Sequence, residues 1–247
     1  MKSVLHFYTS ICIIIHIFIE SGDIMKHLIC LSDWSGQEIQ ETLKLAEKLK
    51  YESKNGIRHN HLLKNKTLGL IFAKSSTRTR VSFEVGMYQL GGNSMFLSSG
   101  DIQLGRGETV SDTAKTLSRY IDGIMIRTYK HSDVVDFSQY GTIPVINGLT
   151  DSQHPCQILA DLQTIKEYKG KLQGIKLAYV GDGNNVANSL LIGCAKVGMH
   201  ISVATPKNYE CDEFSVRHAK EAAVQTNASV LITNDPYEAV KDADVVY

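Results

Sequence analysis

The feature that most constrains this chain is a repeated alternation of short apolar runs with stretches of helical spacing, starting near Met25. Residues 36–53 bring Ile39, Leu43, Ala46 and Leu49 onto one helical face, and Ser35 stands where a helix is capped. A strand is expected over 67–72, then a helix carrying Val81, Val85 and Tyr88 and closed by Gly91-Gly92. Strands over 94–97, 123–127 and 142–146 alternate with helices over 109–120 and 134–140. A longer helix over 154–168 keeps Ile158, Leu162 and Ile165 together. A second series has strands at 175–181, 200–204 and 229–233, helices at 185–197, 213–225 and 236–241, and a strand opening at Asp244. Short apolar strands, each followed by a helix, pair in parallel and are covered on both faces. The expected fold is therefore α/β, with two doubly wound parallel-sheet domains and Lys169-Gly170-Lys171 as the seam. Because the sequence stops at Tyr247, inside the last strand, the second domain is expected to be incomplete.

The 247 residues carry 26 Lys plus Arg against 26 Asp plus Glu. A zero balance argues against nucleic acid or a membrane surface as partner, since both require excess basic charge. Any bound anion must be held by a local cluster. Five cysteines without a Cys-x-x-Cys pair read as thiols of a reducing, cytoplasmic compartment, with no zinc or disulfide framework. Residues 1–24 contain the apolar run Ile11 to Ile19, too short to span a bilayer as a helix. They read as an extension outside the fold, with a cleaved leader as the other possibility.

The segment Ser75-Ser76-Thr77-Arg78-Thr79-Arg80 lies between a strand and a helix. Such a junction offers open backbone N–H groups and the positive end of the helix dipole. Hydroxyls donate to phosphate oxygens, and a guanidinium grips two oxygens at once. A capped helix with a basic surface turn would account for one serine. An anion site accounts for the whole cluster.

Phe72 to Arg80 followed by Val81-Ser82-Phe83-Glu84 resembles the carbamoyl-phosphate loop of the aspartate/ornithine carbamoyltransferase family. Three further segments match in order. Asp101-Ile102-Gln103-Leu104-Gly105 resembles the loop that reaches a neighbouring subunit's site. Met125-Ile126-Arg127-Thr128 resembles the strand end with a carbonyl-polarising arginine. His154-Pro155-Cys156-Gln157 resembles the His-Pro-x-Gln motif. The residues alone say less. Arg127 at a strand end is more often a surface ion pair, and a histidine at a helix start is more often structural. It is the resemblance that gives them roles.

Tyr179-Val180-Gly181-Asp182-Gly183-Asn184-Asn185 has a dinucleotide-like Gly-x-Gly, but Val186 occupies the third glycine position and no acidic residue closes the next strand. The segment is instead similar to the Gly-Asp-x-Asn-Asn turn of ornithine-specific members, in which Asn185 would contact the amino-acid end of ornithine.

The resemblance implies a carbamoyl-phosphate domain over 25–168, an ornithine domain over 169–247 and a homotrimer. It implies transfer of the carbamoyl group to the δ-amine of ornithine, giving citrulline and phosphate with no metal or organic cofactor. Ser76, Thr77 and Arg78 would hold phosphate, while Thr79, Arg127 and His154 stabilise the oxyanion. Gln157 would take the carbamoyl NH₂, and Gln103 would serve an adjacent subunit. The Asp-x-x-x-Ser-Met and His-Cys-Leu-Pro segments of the family do not appear before Tyr247. An inactive or regulatory homologue and a putrescine-type enzyme therefore stand as alternatives, with a nucleotide-binding oxidoreductase as a more distant one.

Overall fold

The computed structural model describes residues 26–98, 100, 102 and 107–247. The reading of residues 1–24 as an extension or leader and that of Gln103 lie outside the described residues. The described residues divide into two compact units, one of residues 26–29 with those from 44 to 151, the other of residues 30–43 with 152–247. Each contains a four-stranded, all-parallel sheet with helices between its strands.

The first helix, α1 (Gly36–Lys54), starts at a reciprocal cap. The Ser35 hydroxyl accepts from the Glu38 N–H at 3.1 Å, while the Ser35 N–H donates to the Glu38 carboxylate at 2.7 Å. In the first unit follow β1 (Thr67–Phe72), α2 (Thr77–Gln89), β2 (Asn93–Ser98), α3 (Val110–Leu117), β3 (Gly123–Arg127), α4 (His131–Tyr140) and β4 (Val145–Leu149). The strand order is β2-β1-β3-β4. Ile71, Ile124, Ile126 and Val145 form one core face with Val134 and Phe137 of α4. Complete burial of side chains of this size contributes about 1.5–3 kcal/mol each. At the end of α2, Gly91 takes φ +87°, and a Cβ there would collide with the Asn60 carbonyl.

The second unit contains α5 (Pro155–Lys169), β5 (Lys176–Val180), α6 (Asn185–Lys196), β6 (His200–Ala204), α7 (Glu213–Thr226), β7 (Val230–Thr233), α8 (Pro236–Val240) and β8 (Val245–Val246). Its strand order is β7-β6-β5-β8. Helix α6 is buried from Ala187 through Ala195 and packs against α5 and α7. The Lys196 ammonium donates to the carbonyls of Ser32 and Trp34, which ties the segment before α1 to this unit.

Two expectations shift. The strand placed at 142–146 runs from Val145 to Leu149, because Pro144 offers no N–H and the Asn147-Gly148 pair is buried inside the sheet. There the Asn147 side-chain amide donates to the Ile29 carbonyl at 2.9 Å. Helix α4 begins at His131 rather than Val134, and Lys130 at its cap makes no side-chain cap bond, so no capping residue marks the start. By internal contacts the chain divides between Asp151 and Ser152, which places α5 within the second unit. Gly170 ends α5 in the left-handed conformation, φ 76°.

Candidate functional site

In the first unit the strand order reverses between β1 and β3, and the crevice beyond their carboxyl ends is where ligands bind in such sheets. Phe72 and Arg127, the last residues of β1 and β3, stand opposite each other, and the Ala73 N–H donates to the Arg127 carbonyl at 2.9 Å. The chain then turns into α2. The Ser76 hydroxyl caps the helix by accepting from the Thr79 N–H at 3.3 Å, and it donates to the Thr79 hydroxyl at 3.0 Å. The N–H groups of Thr77 and Arg78, ahead of that cap bond, have no intrahelical acceptor. Thr77 and Arg78 are exposed, whereas Thr79 is buried.

Across the crevice the Arg127 Nε is buried and takes no hydrogen bond among the described residues. Burial first, and then the neighbouring charge of Arg78, pull this guanidinium below its ordinary range. No carboxylate among the described residues pairs with either arginine. Two positive charges near one another beside an open helix N-terminus favour an anion between them. Lys74, 5.2 Å from the Tyr129 ring centroid and 3.8 Å from the Asp151 carboxylate, lies on the same connection. Arg80 is different. It pairs with Glu84 at 2.9 Å and lies over Phe96, so only Arg78 of the two loop arginines remains available for an anion.

In the second unit the order reverses between β5 and β8. After β5, Asn184 caps α6, accepting from the N–H groups of Val186 and Ala187 at 2.9 and 3.2 Å. Asn185 is thereby the first helical residue, partly exposed at the sheet's carboxyl edge. Gly183 is required by close approach, since its Cβ would come within 2.3 Å of the Glu210 and Cys211 backbone. That explains the second glycine of the Gly-x-Gly without a dinucleotide. His154 caps α5, with Pro155 in the first turn, and is buried. The Gln157 amide, one turn on, donates to the Asp161 carboxylate at 2.9 Å.

Residues 26–167 match the family model "Aspartate/ornithine carbamoyltransferase, carbamoyl-P binding domain", and residues 173–247 match "Aspartate/ornithine carbamoyltransferase, Asp/Orn binding domain". The chain belongs to the aspartate/ornithine carbamoyltransferase family. Among relatives, the ornithine carbamoyltransferases of Anoxybacillus flavithermus and Bacillus subtilis are each 59% identical over 222 residues. Those alignments span 90% of this chain and 70% and 68% of the two relatives. The solved ornithine carbamoyltransferase of Pyrococcus furiosus superposes with a TM-score of 0.88 at 52% identity, covering 90% of this chain and 71% of that one. The two carbamoyltransferase family models meet on either side of Lys169-Gly170-Lys171, whereas internal contacts group α5 with the second unit.

Within this carbamoyltransferase chain, the first unit brings together Ser76, Thr77, Arg78, Thr79 and Arg127, and the second carries His154, Gln157 and Asn185. Sequence reasoning missed Asp161, whose four-residue spacing from Gln157 is the only local clue. It also missed Gln153, Ser189 and Ser215, which no local pattern joins.

Proposed function

We propose that this chain binds carbamoyl phosphate and transfers its carbamoyl group to the δ-amine of ornithine, giving citrulline and phosphate. The observation that carries the reading is the pair of guanidiniums, Arg78 and Arg127, that no carboxylate among the described residues pairs with, beside the open start of α2. Arg78, the Ser76 and Thr77 hydroxyls and the first-turn N–H groups hold the phosphoryl oxygens. The Ser76 hydroxyl accepts from the Thr79 N–H and donates to the Thr79 hydroxyl, so it reaches a phosphoryl oxygen only when its proton turns from Thr79 to the anion.

The neutral amine attacks the carbamoyl carbon, a tetrahedral oxyanion forms, and its collapse breaks the carbon–oxygen bond and expels phosphate, which leaves with the proton shed by the attacking nitrogen. Thr79, Arg127 and His154 stabilise the oxyanion, a class of interaction whose loss costs about 3 kcal/mol per donor. Gln157 receives the carbamoyl NH₂, Gln103 serves a neighbouring subunit, and Asn185 meets the α-amino-acid end of ornithine. Phosphate is a good leaving group, so the chemistry requires neither metal nor organic cofactor.

The proposed assembly is a homotrimer. Val81, Val85 and Tyr88 form an exposed stripe on α2, and Met95 and Phe96 are exposed on the edge strand β2, an apolar area suited to another subunit. The proposed location is the cytoplasm. Cys30, Cys156, Cys194 and Cys211 are buried free thiols, as a reducing compartment allows. Among the described residues no helix is long and apolar enough to cross a membrane.

The test is calorimetric binding of carbamoyl phosphate to the 247-residue chain and its Arg78→Ala variant, with citrulline formation followed in parallel and aspartate and putrescine as competing acceptors. Loss of binding in the variant supports the site. Unchanged affinity refutes it. Turnover with putrescine in place of ornithine would reassign the acceptor.

A further inference from the structure

His154 is the capping residue of α5, yet its own side chain makes no cap bond, and its backbone sits at φ −137°, ψ 64°, outside the helical and extended regions. Something other than the helix must define where its imidazole projects. The His154 N–H donates to the Ser189 hydroxyl at 2.9 Å, and that hydroxyl donates to the Gln153 side-chain oxygen at 2.7 Å. The Gln153 amide nitrogen donates to the Ser215 hydroxyl at 3.0 Å, which donates in turn to the Asp212 carboxylate at 3.1 Å. Every hydrogen bond runs in one direction, from His154 to a carboxylate that also caps α7. A return path closes the frame: the Asp212 N–H donates to Asn188, and the Asn188 amide donates to the Ser152 carbonyl.

Gln153, Ser189 and Ser215 are 2%, 0% and 0% exposed. Buried polar groups cost free energy unless every member is satisfied, and an apolar side chain would fill the position of Gln153 with no such demand. What the polar chain supplies in return is direction. It fixes the His154 backbone to the first turns of α6, the helix that Asn185 opens, and to the start of α7.

We infer that Gln153, Ser189 and Ser215 are positioning residues, which hold His154 in the orientation that carbamoyl-phosphate recognition requires. This rests on the role proposed above for His154.

The experiment compares the affinity of the full 247-residue chain for two probes, inorganic phosphate and carbamoyl phosphate, by calorimetry. Inorganic phosphate engages only the Arg78 and Arg127 side. Carbamoyl phosphate also requires His154. Ser189→Ala and Gln153→Leu are each expected to weaken carbamoyl phosphate about tenfold, one hydrogen bond's worth, and to leave inorganic phosphate within about twofold. Because both substitutions break one chain, the double variant should be little weaker than either alone. Gln153→Leu, which keeps the volume, provides the answer if Ser189→Ala fails to fold.

His154→Ala separates the two claims. If it leaves carbamoyl-phosphate affinity unchanged, the role of His154 itself is wrong. If it weakens binding while Ser189→Ala and Gln153→Leu do not, only the positioning inference is overturned. An equal loss for both probes would mark the chain as merely structural and would also overturn it.

Discussion

The Arg80 guanidinium lies 3.8 Å from the centroid of the Phe96 ring, which fastens the first turn of α2 to the edge strand β2. With the Glu84 ion pair at 2.9 Å, that contact uses Arg80 structurally, although only Thr79 separates it from Arg78. A cation–π contact at an exposed site contributes about 0.5–1 kcal/mol, and an ion pair one helical turn apart about 0.3–0.5. Arg80→Ala should therefore lower unfolding stability by about 1 kcal/mol in urea and leave carbamoyl-phosphate affinity within about twofold. A loss of affinity as large as that of Arg78→Ala would show that both arginines grip the anion.

Ser76 is the N-cap of α2, and its hydroxyl is the acceptor for the Thr79 N–H. Ser76→Ala removes that acceptor and should cost about 1 kcal/mol of stability. Ser76→Asp restores a cap but brings a negative charge to the mouth of the site. It should regain stability while carbamoyl phosphate binds more weakly. Denaturant midpoints and binding constants measured on both variants check the two halves separately.

Gly183 has the Glu210 and Cys211 backbone against the place a Cβ would occupy. Gly183→Ala must push this connection aside, an overpacking that costs about 1–3 kcal/mol. Because the displaced turn runs directly into Asn185, the Michaelis constant for ornithine should rise more than that for carbamoyl phosphate. Equal changes in both constants would count against the assignment of Asn185 to the amino-acid end of the acceptor.

Burial raises the Asp161 carboxyl to about 7, with the hydrogen bond from Gln157 offsetting part of the effect. An unfolded aspartate titrates near 3.9, so the folded chain keeps a proton that the unfolded chain has released. The contribution of this group to stability is full below roughly pH 4 and is lost as pH rises through about 7. Asp161→Asn stays neutral and still offers an oxygen to Gln157. Its denaturation midpoint should match the parent chain at about pH 3.5 and exceed it near about pH 8. The same difference at both pH values would rule out titration of Asp161 as the cause.

Much of this architecture is legible from local pattern. Short apolar runs and helical spacing locate β1, α2, β3, α5 and the second series to within a few residues. Ser35 and Gly91 announce their caps because capping depends on residues close by along the chain. The hydroxyl and arginine cluster could be read as an anion site for the same reason: its donors are consecutive. The start of α4 escaped because Lys130 makes no cap bond. Strand β4 was misplaced because Asn147-Gly148 has the composition of a turn, and only the Ile29 carbonyl explains how the asparagine is satisfied inside a sheet.

The chain's own sequence thus determined which segments are helix or strand and which turn collects anion donors, since both follow from neighbours along the backbone. Tertiary structure decided the rest. Strand order set Arg127 beside the Phe72 turn, helix packing enclosed Asp161, and three distant segments met to build the hydrogen-bond chain behind His154. Such pairings depend on which elements lie side by side in the folded sheet, and burial depends on what covers a side chain. Neither quantity is defined until the chain has closed on itself.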